Sequence, residues 1–269
     1  MSGLGKVVRL GRLKNAASGH ILTVALDHAP SYGLLEGLED IGDVLERAAS
    51  AGPDAVMLMK GTAERCFAPY AGRIALILKC STLSTYHPDH DVWVSSVEDA
   101  VRLGADAIAM AVTIGSTQQA RLLANLAALV REGERAGMPV IAHAYPNGAL
   151  VPPAERYTLE RVSYAARLVM ELGVDIVKTF YTGSSETFAE VVDQAAPALV
   201  VAAGGPRLET EADALRMAHD VMHARAAGIT FGRNIWQSER ISSMLRALKM
   251  VVHGNCSVEE AVQSLAAVQ

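Results

Sequence analysis

Short apolar runs rich in β-branched residues recur along this chain, each followed by a polar or glycine-containing turn and then by apolar residues at helical spacing. Eight such runs read as strands, over 21–26, 55–59, 74–78, 107–111, 140–144, 174–179, 198–202 and 229–231. Between them, 41–50, 97–103, 117–136, 154–172, 185–195, 209–227 and 238–252 carry the amphipathic pattern of helices. Strict alternation of strand and helix demands a parallel sheet, because parallel neighbours are joined by crossover connections. Eight units at this length predict a single (β/α)8 TIM barrel. A doubly wound open sheet would show the same alternation, but no Gly-x-Gly-x-x-Gly follows the first strand. No linker, low-complexity tract or composition shift divides residues 1–269, so they read as one domain, with 1–19 as an N-terminal segment packed on the barrel. Three strands are preceded by a shared element, Gly52-Pro53-Asp54, Gly104-Ala105-Asp106 and Gly173-Val174-Asp175, which reads as an αβ turn with glycine closing the helix.

Composition narrows the class further. With 51% hydrophobic but only 5% aromatic residues, the core is expected to be built from Ala, Val and Leu. A formal net charge of −5 leaves no electrostatic footprint for nucleic acid. Lys6, Arg9, Arg12 and Lys14 are locally basic, and read most simply as a solvated segment. Cys66, Cys80 and Cys256 are odd in number and widely spaced, so neither a disulfide framework nor a zinc knuckle is expected, and a reducing cytoplasm is the natural setting. No run of 18 apolar residues and no signal-like block is present, so a soluble, unexported protein with no membrane partner is expected.

In a TIM barrel the chemistry stands at the C-terminal ends of the strands. The residues there are Asp27-His28, Lys60-Gly61, Lys79, Tyr145-Pro146-Asn147-Gly148, Lys178, Gly204-Gly205-Pro206 and Gly232-Arg233-Asn234. Lys178 is the most informative, because a lysine inside the apolar run 173–183 has no evident structural purpose. Apolar walls and a neighbouring cation both lower an amine's pKa and prepare it to attack a carbonyl. Strand alternation places Val174 and Ile176 on its face. Taken alone, a lysine that snorkels from the barrel mouth or pairs with a carboxylate accounts for the position equally well. Tyr145 offers a phenol for proton transfer, and Asp27 a carboxylate that orients hydroxyls or serves equally as a turn residue. Gly204, Gly205, Gly232 and Arg233 offer close backbone amides and a cation, the usual makings of a phosphate site, although glycines are also ordinary turn residues. His28, next to Asp27, and His143, two residues before Tyr145, are further substrate-binding candidates. The His87-Pro88-Asp89-His90 spacing raises a metal site, but zinc takes three or four converging ligands and a proline-containing polar loop supports them poorly. No metal and no cofactor are expected.

Together these residues resemble the class I aldolases of the DeoC/LacD type, from about Arg9 to Val252. The motifs that carry the resemblance are Leu26-Asp27-His28 with Gly37-Leu38-Glu39-Asp40, Tyr145-Pro146-Asn147-Gly148, Val177-Lys178-Thr179-Phe180-Tyr181-Thr182-Gly183, Gly204-Gly205-Pro206 and Gly232-Arg233-Asn234-Ile235-Trp236-Gln237. The resemblance implies a Schiff base on Lys178, Tyr145 as acid and base for carbon–carbon bond cleavage, Asp27 assisting proton transfer, and a phosphate at Gly204, Gly205, Gly232 and Arg233. It further implies a metal-independent lyase acting on a phosphorylated ketose or keto-sugar with a dihydroxyacetone-phosphate-type donor, and a homo-oligomer, in some relatives a decameric ring. Two positions depart from the archaeal bisphosphate aldolases: His143 replaces a tryptophan, and Asn147 replaces an arginine that commonly follows the Tyr-Pro pair. Synthase-like transaldol chemistry or autoinducer-2-type acyl transfer on the same lysine are the alternative activities, and a phosphosugar-binding barrel without turnover is the non-catalytic one. The Tyr-Pro motif favours aldol chemistry.

Overall fold

The computed structural model describes residues 3–266. Its strands are β1 (Ile21–Ala25), β2 (Ala55–Met59), β3 (Ala75–Lys79), β4 (Ser81–Ser84), β5 (His87–Trp93), β6 (Ala107–Thr113), β7 (Val140–Tyr145), β8 (Ile176–Phe180), β9 (Leu199–Ala203) and β10 (Gly228–Phe231). Eight of them close into a parallel barrel in the order β1-β2-β3-β6-β7-β8-β9-β10, with β10 pairing back onto β1. The eight expected strands are the eight barrel strands. Antiparallel β4 and β5 form a separate hairpin inserted after β3, where the sequence pattern predicts a polar loop.

Inward and outward side chains follow the period-two rule of a strand. Ile21, Met57, Ile77, Ala109, Ile141, Ile176 and Val201 fill the barrel interior, with Leu13 closing it from below. Leu22, Val56, Leu78, Val140, Val177 and Ile229 point outward and pack under the helices. Several ladders run one or two residues beyond the apolar runs, because backbone pairing continues after the side chains turn polar. Lys79, Thr113, Tyr145 and Phe180 are therefore members of their strands. Val174 precedes β8 and packs in the outer shell, so only Ile176 shares the face of Lys178.

Within the N-terminal cluster of cations, Lys6 is not solvated as expected, while Arg12 stays exposed. The helix Leu4–Leu13 covers the base of the barrel, where Lys6 is buried and its Nζ lies 3.0 Å from Asp175. Arg12 pairs with Asp106 at 3.3 Å, and Arg9 donates to the Gly137 carbonyl at 2.9 Å. Both aspartates belong to the Gly-x-Asp turns, whose glycines Gly52, Gly104 and Gly173 have φ of +64°, +68° and +92°. Each aspartate also accepts an N–H from the preceding barrel strand: Asp54 from Leu22 at 2.7 Å, Asp106 from Leu76 at 3.4 Å and Asp175 from Val140 at 2.8 Å. The turn thus pins adjacent strand starts together and leaves the opposite mouth free for chemistry. Among the described residues, no helix is long and apolar enough to cross a membrane.

Candidate active site

Register places the site side chains around the C-terminal mouth. Lys178 on β8 lies opposite His143 on β7 and Val201 on β9, and His143 lies opposite Ala111 on β6. One layer higher, Tyr145 lies opposite Thr113, and Phe180 opposite Ala203. The Tyr145 ring stacks on Phe180, with centroids 4.6 Å apart and planes at 14°, and Tyr157 covers the other neighbour position of Phe180 at 4.8 Å. Asp27 and His28 follow β1, with His28 Nδ1 3.7 Å from Asp27 Oδ1. The pocket has two lobes that share His28, Tyr32, Tyr145, Asn147 and Lys178. One lobe runs toward Gly204, Gly205, Gly232 and Arg233, and the other toward Lys79, Asp91, Thr113 and His143. The catalytic and binding candidates Lys178, Tyr145, Asp27, His28, His143 and the glycine–arginine set all line this one mouth.

The structure also corrects and extends the set. Lys60 does not face the mouth: it begins the helix Lys60–Cys66 and pairs with Asp99 outside the barrel at 2.8 Å. His87 and His90 stack at 5.8 Å on the hairpin, and among the described residues no three His, Cys, Asp or Glu side chains converge as metal ligands. Asp91, on the same hairpin, joins the site without a signal in the sequence pattern; it is only 2% exposed and accepts a hydrogen bond from Thr113 Oγ1 at 2.8 Å. Nothing in the sequence distinguishes it from a surface aspartate, since only the fold of the hairpin turns it inward. Tyr32 escapes sequence reasoning for the same reason; it stands at the rim, 5.3 Å from the Arg233 guanidinium carbon, on the short helix Ala29–Tyr32. Asn234 locks the glycine loops by donating to the carbonyls of Gly204 at 2.7 Å and Pro206 at 3.2 Å, while accepting from Leu208 N–H at 2.8 Å. A side chain on Gly232 would place Cβ 2.4 Å from His28 Cε1, so glycine is what lets this loop approach the mouth.

The chain as a whole has counterparts among known proteins. Residues 21–238 match the DeoC/LacD family aldolase. The chain belongs to that family. It is similar to the 2-amino-3,7-dideoxy-D-threo-hept-6-ulosonate synthase of Halobacterium salinarum, 34% identical over 97% of each chain. It is similarly close to the class 1 fructose-bisphosphate aldolase of Thermoproteus tenax, 34% identical over 91% of this chain and 94% of that one. Among solved structures, an archaeal fructose-1,6-bisphosphate aldolase with its catalytic lysine covalently bound to the carbinolamine intermediate superposes with a TM-score of 0.85. That structure is 33% identical over 93% of this chain and 100% of its own. The protein is thus an aldolase built on a TIM barrel.

The field inside the aldolase pocket favours a free amine. Lys178 is 6% exposed, and burial lowers its ammonium toward a pKa of about 8; Asp27 opposes the shift, while Lys79 and Arg233 add to it. Roughly a tenth of the amine is then unprotonated at pH 7, against a negligible fraction for an ordinary lysine. Burial resists ionisation of Asp27, but His28, Lys178 and Lys79 outweigh it and hold the carboxyl below its usual range. His28 is pushed down to about 4, chiefly by burial, and burial with the two lysines drives His143 well below its ordinary value. Both imidazoles are neutral near pH 7. Burial, with Tyr32 and Asp27 nearby, raises Tyr145 well above the ordinary phenol value, so it stands protonated. The resulting pH dependence has a definite sign. Imine formation in single-turnover trapping is expected to accelerate as pH rises through about 8 and then level off. Removing one contributing cation, in Lys79→Met, raises the Lys178 pKa and moves that limb to higher pH; an unmoved limb would show that Lys79 does not act on Lys178.

Proposed function

We propose that this enzyme is a metal-independent class I aldolase that cleaves or forms a phosphorylated ketose through a Schiff base on Lys178, with a dihydroxyacetone-phosphate-type donor. The observation that carries the reading is a buried amine with a lowered pKa at the junction of two pocket lobes, one of them lined by glycine loops and an arginine. The Lys178 Nζ lone pair attacks the ketone carbon, and the resulting carbinolamine loses water to give a protonated imine. Asp27, ionised and beside the lysine, carries the protons of that dehydration. The iminium nitrogen draws the electrons of the breaking carbon–carbon bond, so the departing half leaves as an aldehyde and an enamine remains. Tyr145, adjoining Lys178 in both lobes, gives its phenol proton to the new hydroxyl oxygen in the condensation direction; in cleavage it first passes that proton to water, and the phenolate, favoured by the neighbouring iminium charge, takes the proton of the cleaved hydroxyl.

The donor phosphate belongs in the glycine lobe. Gly205 has φ of +68° with open space around it, which lets its amide approach a ligand closely. Arg233 Nε is buried there without a hydrogen-bond partner among the described residues, so an anion satisfies it. Phe180, packed against the rings of Tyr145 and Tyr157, gives the glycine lobe an aromatic wall. The carbinolamine of the archaeal relative agrees with the same chemistry. Borohydride reduction in the presence of dihydroxyacetone phosphate tests the reading: peptide mass spectrometry is expected to find a stable reduced adduct on Lys178. Active enzyme that yields no adduct there would overturn it.

A further inference from the structure

The two lobes give the substrate a direction around the mouth. From Lys178 on β8, one path leads through β9 and β10 to Gly204, Gly205, Gly232 and Arg233. The other leads through Tyr145 on β7 to Thr113 on β6, and onto Asp91 of the hairpin. With the donor phosphate in the glycine lobe, the aldehyde half can lie only in the second lobe, a placement that rests on the proposed function. Thr113 occupies Asp91 Oδ2, whereas Asp91 Oδ1 has no hydrogen-bond partner among the described residues despite being buried. An unpaired carboxylate oxygen in a closed pocket is costly and demands a donor from whatever binds. Lys79 does not serve it, because its Nζ donates to the carbonyl and the hydroxyl of Ser81. Two further acceptor-capable atoms, His143 Nε2 and Asn147 Oδ1, are buried in the lobe and likewise unpartnered among the described residues.

We infer that Asp91 is a specificity-determining residue, accepting a hydrogen bond from the hydroxyl next to the carbonyl carbon of the aldehyde partner. Its carboxylate is held in place by Thr113 and reads the hydroxyl beside the carbon at which Tyr145 moves protons. The partner is then a 2-hydroxyaldehyde and not a simple alkanal.

The test compares lactaldehyde with propanal, which differ only in that hydroxyl, as acceptors for dihydroxyacetone phosphate. The wild-type enzyme is expected to prefer lactaldehyde in kcat/KM. In Asp91→Ala the preference should fall about ten- to a hundredfold, the range for a hydrogen bond to a charged group. Asp91→Asn, which keeps a neutral acceptor, should fall in between. Equal loss on both aldehydes, or a wild-type enzyme indifferent to the hydroxyl, would overturn the assignment. The borohydride adduct on Lys178 is measured in the same samples. Its absence from wild type overturns the Schiff-base reading and this one with it, whereas an adduct with an unmoved preference overturns only the role of Asp91. Loss of the adduct from both variants would make Asp91 a support for the nucleophile or the fold, and would also overturn the assignment.

Discussion

Lys178→Met is expected to lower kcat by about a millionfold, the scale on which loss of a catalytic nucleophile acts. Methionine matches the length and flexibility of lysine but has no lone pair able to form an imine. No other amine takes over, because Lys79 is turned into hydrogen bonds with Ser81. The substitution should also leave thermal stability equal or slightly raised, because the wild-type chain dehydrates an amine at this buried position while methionine does not. Activity and stability therefore move apart, which a merely structural lysine would not produce. Steady-state cleavage assays alongside thermal melts check both. Residual activity within about tenfold of wild type would remove Lys178 from the mechanism.

Tyr145→Phe should reduce bond cleavage by about 10²–10⁴-fold, as for loss of a general acid or base, while imine formation with dihydroxyacetone phosphate continues. Phenylalanine preserves the ring that stacks on Phe180 at 4.6 Å, so the variant isolates the hydroxyl from the packing. The raised pKa of the phenol suits it to protonate the alkoxide formed in condensation. In cleavage it must act as phenolate, having lost its own proton to water, and the positive charge of the nearby iminium favours that ionisation. Borohydride trapping of the donor, set against turnover of the complete ketose, separates the two steps. Equal loss in both would assign Tyr145 to imine formation instead.

How far the site is legible in the sequence depends on where each residue lies in the apolar pattern. Lys178, Tyr145 and Asp27 end or follow apolar runs, and in a parallel barrel every run ends at the same mouth. Counting strands is therefore enough to bring them together. Gly204, Gly205, Gly232 and Arg233 follow the last two strands and obey the same rule. Lys60 also follows an apolar run and still lies outside the site, because a helix begins at the residue itself and carries its side chain outward to Asp99. The basic segment from Lys6 to Arg12 reads as solvated only because its partners, Asp175 and Asp106, lie far along the chain.

Alternation of apolar runs and amphipathic segments by itself determined the barrel, its strand order and the end at which chemistry stands, because period-two and helical patterns encode local structure and parallel pairing constrains how the elements connect. Only the tertiary structure decided the inner shape of the pocket. Asp91 enters it from a hairpin paired outside the barrel, Phe180 packs against both Tyr145 and Tyr157, and Asn234 ties two loops together. Their roles come from contacts between segments distant in sequence, and no local periodicity records such contacts. The field that lowers the Lys178 pKa has the same origin: burial, Lys79 on β3 and Arg233 after β10 together outweigh the opposing charge of Asp27 after β1, and these groups meet only when the barrel closes.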